Sequence, residues 1–438
     1  MLRWKRPVAL GLIAVLLLGI GVVGLADKPY EGEVLRLACM ADQFADYLVV
    51  LGRKFEEVTG ARVEVDVLGY VELREKMVLD YTTDTKQYDL ATVDIVWTGE
   101  FAEKGWTADL TPFINRDYIE LNVPDILPVC WAQGEWAGKQ VAFPMAGYVN
   151  SLIYRTDLFA DADEKAAFEA EYGYELVAPR TLDELDDVAT FFTRPDENLY
   201  GLVANGARGP AVAQDWMEYM RAYGGSIVDR EGNVYVDNPK AIESLELFVK
   251  IFDEWAPPGA PNYWWDDRET SYRTGMSVMQ SSWSIARAGY ENPDISLVVG
   301  KTGMAITPTA SGDDPAFGFG GWGIGINADI DAARQEIAWA FIKWIASQEI
   351  QKEWMMNDGA PIRLSTLLDS DLNEAMPWLP TMLTMFIHGD GDYRPRVPEY
   401  NQIQDILALR VNQAITHELT AEEALTEAAA EIRALYSD

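Results

Sequence analysis

The stretch that decides the fold is 317–354, FGFGGWGIGINADIDAARQEIAWAFIKWIASQEIQKEW. Five glycines surround Trp322, and glycine lets a backbone approach a ligand or another chain segment without a Cβ in the way. Ile324 and Ile326 then alternate as in a strand, and 327–331 supplies turn and helix N-cap residues before apolar residues recur at helical spacing. The pattern predicts a strand that presents the indole of Trp322 at a surface, with a helix behind it.

A dinucleotide-binding turn is the alternative interpretation of this stretch, because Gly318, Gly320 and Gly323 satisfy the G-x-G-x-x-G spacing. In that motif the glycines follow a strand and open a helix. Here they precede the strand residues, and the helix does not begin at the third glycine. The order of elements therefore argues against a dinucleotide site.

The N-terminus predicts export. Arg3, Lys5 and Arg6 precede an uncharged apolar run over 7–26, and the run ends in small residues suited to cleavage after Ala26. The run, about 20 residues, is also long enough to serve as an uncleaved membrane anchor. We expect residues 1–26 to be a signal peptide or an N-terminal anchor, and the rest to lie in the periplasm or on the outer face of the cytoplasmic membrane.

Length and charge restrict the class of protein. The chain has 438 residues, of which 49% are apolar, which is enough for two ordinary domains beyond the leader. Seventy Asp and Glu stand against 35 Lys and Arg, so we expect no nucleic-acid partner, because phosphate contacts need a cationic surface. Cys39 and Cys130 are open to two interpretations, one disulfide or two buried free thiols.

Strand and helix signals alternate from Glu33 onward as β-α-β-α-β, ending with DLATVDIVW at 89–97, which predicts a mostly parallel sheet. Residues 138–155 read as two strands interrupted by Pro144 and Gly147, where we expect the chain to cross to a second lobe. Downstream, the pattern predicts a capping box at Thr181, a hairpin turning at 229–233, a helix from about Pro239, and a second capping box at Thr420. No flexible tether is evident, so short crossing strands should join the lobes and form a hinge.

Catalytic signals are sparse. Only His388 and His417 exist, which removes most histidine-based metal sites and makes a Ser-His-Asp or Cys-His arrangement hard to assemble. A pair of carboxylates for acid-base chemistry stays open, because 70 acidic residues will place some pair at a suitable distance by chance. We predict no metal and no cofactor.

Aromatic residues are the positive signal, with 15 Trp and 20 Tyr in the chain. Several stand at loop or strand-end positions: Trp97, Tyr148, Trp264, Trp265, Trp283 and Trp322. For the three at 264, 265 and 283, ordinary packing is an equally good interpretation. Aromatic faces combined with a few carboxylate, amide and guanidinium groups suit a polyhydroxylated ligand, whose apolar face stacks while its hydroxyls form hydrogen bonds.

The chain closely resembles the family 1 extracellular solute-binding proteins of ABC sugar importers, and the resemblance extends over nearly the whole mature chain. The matching blocks follow the family's order: 54–65, 88–113, 138–159, 179–192, 222–248, 273–284, 320–329 and 338–354. Trehalose-, maltose- and other oligosaccharide-binding members are the most similar. The resemblance implies a two-lobed α/β fold of the periplasmic-binding-protein type (type II), in which hinge strands join two lobes, each a mostly parallel sheet flanked by helices.

From the resemblance we expect lobe 1 to comprise 27–145 with 301–348, and lobe 2 to comprise 146–300 with 349–438. The GGWG block and the Asp-x-x-Trp block match positions that touch sugar in the family, which assigns ligand contacts to Asp94, Trp97, Gly321 and Trp322. By the same resemblance, further ligand contacts are expected from Asp42, Gln43, Trp283 and Arg363. The crossing segment carries Tyr148 and Asn150 where an acidic residue is frequent, so the identity of the sugar is open.

The expected function is a monomeric, non-enzymatic receptor. It would close two lobes on a carbohydrate, an oligosaccharide or a polyol, and deliver it to an ABC transporter permease in the membrane. The alternative is a secreted glycoside hydrolase or lyase with an aromatic cleft and a carboxylate pair. Turnover distinguishes them, since a receptor returns its sugar intact.

Overall fold

The structure of the protein is a computed structural model that describes residues 28–83, 85–312 and 317–437. The predicted leader, 1–26, and its cleavage site lie outside the described residues. Within the described part, no helix is both long and apolar enough to cross a membrane.

Eleven strands are described: β1 Val34–Met40, β2 Arg62–Leu68, β3 Leu90–Asp94, β4 Glu135–Trp136, β5 Lys139–Gln140, β6 Phe143–Arg155, β7 Tyr200–Val203, β8 Ser277–Trp283, β9 Thr302–Ala305, β10 Phe317–Ile326 and β11 Gly389–Asp390.

The α-helices in the described ranges are α1 Gln43–Thr59, α2 Tyr70–Thr83, α3 Thr98–Glu103, α4 Thr111–Leu121, α5 Pro128–Ala132, α6 Thr156–Ala160, α7 Ala162–Tyr172, α8 Leu182–Phe192, α9 Pro210–Ala222, α10 Pro239–Lys250, α11 Trp265–Arg273, α12 Arg287–Glu291, α13 Ala332–Ile345, α14 Gln348–Met355, α15 Leu364–Leu367, α16 Ser370–Ala375, α17 Leu379–Ile387, α18 Tyr400–Ile415 and α19 Ala421–Leu435.

The main sheet has the strand order β2-β1-β3-β10-β6-β8-β7. The first three strands are parallel, as the β-α-β-α-β pattern predicts, because α1 and α2 carry the chain back between them. Gly60, with φ of 84°, ends α1 in the left-handed conformation that glycine adopts without strain. We call β2, β1, β3 and β10 the first-lobe end of the sheet, and β8, β7 and β9 the second-lobe end.

Strand β6 connects the two ends. Its first half pairs antiparallel with β10, and its second half pairs antiparallel with β8 and β9. The prediction of two strands interrupted by Pro144 and Gly147 is therefore wrong, since 13 residues form one strand. Pro144 is accommodated because the register with β10 shifts between Trp322 and Gly323, and a bulge is where a sheet tolerates a residue without an N–H.

The glycines of β10 serve close packing within the protein. A Cβ at Gly320 would lie 2.7 Å from the ring of Trp283, and one at Gly321 would lie 2.2 Å from Oε1 of Gln133. Those distances are far below van der Waals contact, so neither position has room for a side chain. The close approach that the sequence indicates is therefore between β10 and the neighbouring side chains.

The predicted local signals are confirmed. Thr181 and Thr420 each form a capping box, before α8 and α19, and Asp331 caps α13. The backbone turns at 229–233 with Asp229 N–H bonded to Asn233 O, and the following helix begins at Pro239. Of the two interpretations of the cysteines, the structure shows two buried free thiols at Cys39 and Cys130.

Candidate functional site

A cavity of about 470 Å³ lies between the two lobes. On the first-lobe side it is bounded by the residues that follow β1 and β2 and by the last residue of β3. The carboxyl ends of parallel strands meet at one edge of a sheet, and ligands bind in the crevice outside that edge. The topology therefore explains why residues far apart in sequence share this wall: Met40, Ala41, Asp42, Gln43, Gly69, Tyr70, Val71, Glu72 and Asp94.

The second-lobe wall is formed by the end of β8, the N-terminal turn of α11 and one residue of α9. Its residues are Gln214, Trp264, Trp265, Asp266, Arg268, Glu269, Ser282, Trp283, Ile285 and Ala286. Tyr148 on β6, Trp322 on β10 and Arg394, in the segment before α18, complete the boundary. The cavity is thus enclosed only when both lobes contribute.

Three aromatic rings at this cavity meet edge to face, and a fourth is hydrogen-bonded to one of them. The ring of Tyr70 lies 6.0 Å from Trp322 and, across the gap between the lobes, 5.7 Å from Trp265. Trp322 is only 3% exposed, and its Nε1 donates a hydrogen bond of 2.6 Å to the hydroxyl of Tyr148. Because each ring is fixed by its neighbours, the aromatic wall has a defined shape before any ligand enters.

Asp94 and Arg394 form a buried ion pair at the cavity, with Nη2 of Arg394 3.5 Å from Oδ1 of Asp94. Tyr70 donates a hydrogen bond of 2.9 Å to the other carboxylate oxygen. Burial lowers the pKa of Arg394, but the negative charge of Asp94 together with the neighbouring tyrosines outweighs burial and raises that pKa above its ordinary value. The guanidinium also lies 5.4 Å from the ring centre of Trp283, and its Nε has no partner within the protein. Arg394 is therefore held at the cavity boundary by Asp94 and by the ring of Trp283.

Arg268 stands on the opposite wall between two carboxylates. Its Nη1 donates 2.8 and 3.1 Å bonds to Asp215, and its Nη2 donates a 2.8 Å bond to Glu269. Glu269 also accepts a 2.7 Å bond from the hydroxyl of Ser282. Burial raises the pKa of Glu269, but Arg268 together with hydrogen bonds from Tyr290 and Ser282 outweighs burial and lowers that pKa. Arg268, Asp215 and Glu269 thus form a fixed network in this wall, with two negative charges and one positive charge.

Asp42 is a carboxylate of the site that forms no ion pair with any Lys, Arg or His of the described residues. Its Oδ1 accepts a 2.8 Å bond from the N–H of Gln43 and so caps α1, and its Oδ2 lies 3.5 Å from the hydroxyl of Tyr148. Burial raises the pKa of Asp42 to about 6, and the negative charge of Glu269 adds to that shift, while the hydrogen bonds from Gln43 and Tyr148 oppose it. The side chain is only partly buried and borders the cavity.

Eight of the twelve residues expected to bind ligand line this cavity: Asp42, Gln43, Asp94, Tyr148, Trp264, Trp265, Trp283 and Trp322. The other four, Trp97, Asn150, Gly321 and Arg363, do not. Trp97 is fully buried behind the wall, with its ring 5.4 Å from that of Trp322. Asn150 is buried as well and accepts a 2.8 Å bond from Ser281. These two support the wall from behind.

Arg363 lies away from the cavity although its loop was expected to face it. The side chain is 1% exposed, and its Nε and Nη2 donate to the carbonyls of Ala346 and Leu121 at 2.6 and 2.8 Å. Nη1 lies 3.2 Å from Asp125. The donors of Arg363 thus bind the chain just after α13, the end of α4 and the segment after α4. This arginine holds these three segments together and is not available to a ligand.

Several residues of the site were missed by the sequence reasoning, chiefly Tyr70, Arg268, Glu269 and Arg394. Tyr70 could have been found, since Gly69 marks the end of the second predicted strand, and such ends converge. Arg394 lies in the turn-rich stretch GDGDYRPR at 389–396, which carries no periodic signal. Within the described ranges, no group of three or more His, Cys, Asp or Glu residues is placed to hold a metal ion.

Comparison with known proteins agrees with this architecture. Residues 41–352 match the family model of the bacterial extracellular solute-binding proteins. A solved ABC transporter solute-binding protein from Agrobacterium radiobacter K84, in complex with ribitol, is 43% identical; the match covers 93% of this chain and 100% of that chain, with a TM-score of 0.86.

Two further relatives are more distant. The maltose-bound MalE3 of T. maritima is 27% identical, over 92% of this chain and 99% of that chain, with a TM-score of 0.80. A curated relative from Sinorhizobium fredii, described as a probable amino-acid ABC transporter periplasmic-binding protein, is 26% identical over 91% of this chain and 88% of its own length. The family match covers most of the chain and the fold agrees throughout, so this protein belongs to the bacterial extracellular solute-binding proteins.

Proposed function

We propose that the protein is an extracytoplasmic receptor for a neutral polyhydroxylated ligand, a polyol or a sugar, which it delivers to the permease of an ABC transporter. The observation that carries this proposal is the cavity between the lobes, where aromatic rings stand beside fixed hydrogen-bonding groups. Rings cover the apolar C–H surface of such a ligand, while Asp94, Glu269 and Arg394 bind its hydroxyls.

The size of the cavity and the relatives support the same ligand class. A volume of about 470 Å³ is in the usual range for small-molecule sites, roughly 300–1,000 Å³. It is suited to a single polyol or a short saccharide. The relative that is 43% identical was solved with ribitol, and the T. maritima protein with maltose. Both ligands are neutral and densely hydroxylated.

The eight predicted residues that line the cavity, together with Tyr70, Arg268, Glu269 and Arg394, are the proposed binding site. We propose no catalytic role for them, because Asp94 and Glu269 are paired with arginine side chains, which leaves Asp42 as the single inner carboxylate without an ion pair among the described residues. The secreted glycosidase alternative requires a pair of carboxyl groups at the glycosidic bond, one of which donates a proton to the glycosidic oxygen. Chromatography of a bound oligosaccharide after prolonged incubation tests the glycosidase alternative, since a receptor returns the sugar unchanged.

A ligand screen tests the proposed function. The mature protein is heated with saturating ribitol, mannitol, glucose, maltose and a panel of amino acids, and the melting temperature is compared with that of the protein alone. A ligand that binds only the folded state at 100 times its Kd adds about 2.7 kcal/mol of stability. We expect a polyol or a neutral sugar to produce the largest shift. A shift confined to amino acids would contradict the proposal.

We also propose that the lobes close on the ligand. The predicted division puts 301–348 in lobe 1, but β9 pairs with the second half of β6, and Thr309 bridges to Thr181. We therefore propose that lobe 2 extends through about residue 310 and that β10 begins the return to lobe 1. Strands β6 and β10, with the segment before α18, are the proposed hinge.

Closure predicts a change in shape. Neither wall encloses the ligand alone, so the ligand favours the closed state by the additional contacts it makes there. Small-angle scattering should show a smaller radius of gyration when the neutral ligand from the screen is added at saturation. Identical scattering profiles at demonstrated saturation would argue for a rigid, preformed cavity instead.

A further inference from the structure

The charges around the cavity are unequal. Five acidic residues line it and two arginines oppose them, an excess of three negative charges: Asp42, Glu72, Asp94, Asp266 and Glu269 against Arg268 and Arg394. Both arginines are already paired, Arg268 with Asp215 and Glu269, and Arg394 with Asp94. A ligand anion would therefore meet uncompensated negative charge in a site that is partly shielded from water, where such repulsion is strong.

Two helices that begin at the cavity, α1 and α11, have a carboxylate of the chain itself at their N-termini. Helix N-termini bind anions through their free N–H groups and the positive end of the helix dipole. Here Asp42 accepts the N–H of Gln43 at the start of α1, and Asp267 accepts the N–H of Trp264 at the start of α11. Asp94 caps the short 3-10 turn that follows β3. At α1, α11 and the 3-10 turn, the chain's own carboxylates therefore take the positions that a carboxylate or phosphate ligand would use.

Asp42 is the exception among the inner carboxylates, because no Lys, Arg or His within the described ranges forms an ion pair with it. Its partners are the N–H of Gln43 and the hydroxyl of Tyr148, and Glu269 faces the same cavity from the other lobe. On the same walls, Nε of Arg268 and Nε of Arg394 are buried without a partner. The site thus offers a ligand one carboxylate that forms no ion pair within the described residues.

We propose that Asp42 makes this site charge-selective, so that it accepts a polyhydroxylated ligand that is neutral or carries a protonated amine, binds the amine beside Asp42, and excludes anionic analogues. The inference rests on the proposed function and refines its ligand class. Only the terminal group of the ligand contacts Asp42. When that group is an ammonium instead of a hydroxyl, its hydrogen bond to Asp42 is a charged one.

The test uses matched ligands that differ only in that terminal group. Ribitol, 1-amino-1-deoxyribitol and ribonate form one series, and glucitol, 1-amino-1-deoxyglucitol and gluconate form a second. Affinities are measured by calorimetry at about pH 8, where Asp42 is ionised and the amine is still protonated. In the series that binds, we expect the amine to bind about tenfold more tightly than the polyol, and the acid at least about tenfold more weakly.

Two variants connect the selectivity to one residue. In Asp42→Asn the side-chain oxygen still caps α1, because asparagine is an equally good N-cap, but the charge is gone. The ratio of amine to acid affinity should fall at least about tenfold in this variant. Asp46→Asn removes one charge from an exposed position on the same helix and should leave the ratio unchanged.

Each outcome separates this inference from the proposed function. Charge selection is overturned if a polyol binds and the corresponding acid binds as tightly as the polyol. It is also overturned if the corresponding amine binds no more tightly than the polyol. In both cases the receptor proposal stands. An unchanged ratio in Asp42→Asn would remove Asp42 from that role. If no member of either series binds and the wider screen also finds no polyol or sugar, the proposed function itself fails, and this inference fails with it.

Discussion

Replacing Asp94 with asparagine is expected to weaken ligand binding at least tenfold and to destabilise the protein by about 3–5 kcal/mol. The stability loss follows because Arg394, 3% exposed, would keep its charge without its partner, and breaking a buried ion pair from one side costs about that much. The binding loss follows because a charged hydrogen bond contributes about 1.5–3 kcal/mol. Chemical denaturation and calorimetry measure the two effects separately.

Asp157→Asn is the matched control for Asp94→Asn. Asp157 also pairs with an arginine, Arg155, but its side chain is 34% exposed and it lies outside the cavity. Its removal should change the free energy of unfolding by about 1 kcal/mol or less and leave ligand affinity unaltered. Normal affinity in a folded Asp94→Asn protein would remove Asp94 from the binding site.

Replacing Trp322 with alanine is expected to cost about 3–5 kcal/mol of stability and to abolish measurable ligand binding. The sequence suggested a ring that stacks on ligand and is not part of the core. The structure places Trp322 in both settings, since it borders the cavity and is also packed against Trp97 and bonded to Tyr148. Truncating a buried tryptophan leaves a large void, which accounts for the expected loss of stability.

Trp339→Ala separates the two roles of Trp322. Trp339 is equally buried, against Phe113 and Phe143, but does not line the cavity. Trp339→Ala should reduce the free energy of unfolding about as much as Trp322→Ala does, while the folded fraction keeps its affinity for the ligand. If Trp322→Ala and Trp339→Ala bind ligand equally well, the indole of Trp322 serves packing alone.

Much of the fold could be predicted from local signals in the sequence. Capping boxes, the glycine that ends α1 and the alternation of strand and helix are set by neighbouring residues, so a single sequence reveals them. The single strand β6 could not be predicted in this way. Its continuity through Pro144 depends on a register shift against β10, which is distant in sequence.

The family resemblance assigned Asp42 and Asp94 to the site, at the ends of predicted strands, and both line the cavity. Arg363 shows the limit of that reasoning. The same guanidinium can bind a ligand or three backbone carbonyls, and only the surrounding chain decides which. Arg394 was missed for the converse reason, because its partner Asp94 lies about 300 residues earlier and no local pattern connects them.

The most direct test of the central claim is a crystal structure of the protein grown with the neutral ligand that gives the largest thermal shift. The account predicts the ligand in the cavity between the lobes, with oxygens in hydrogen-bond contact with Asp94 and Arg394 and its C–H surface against Trp283 or Trp322. Ligand in the separate cavity of about 550 Å³ beside Trp378, or on the outer surface of one lobe, would contradict it.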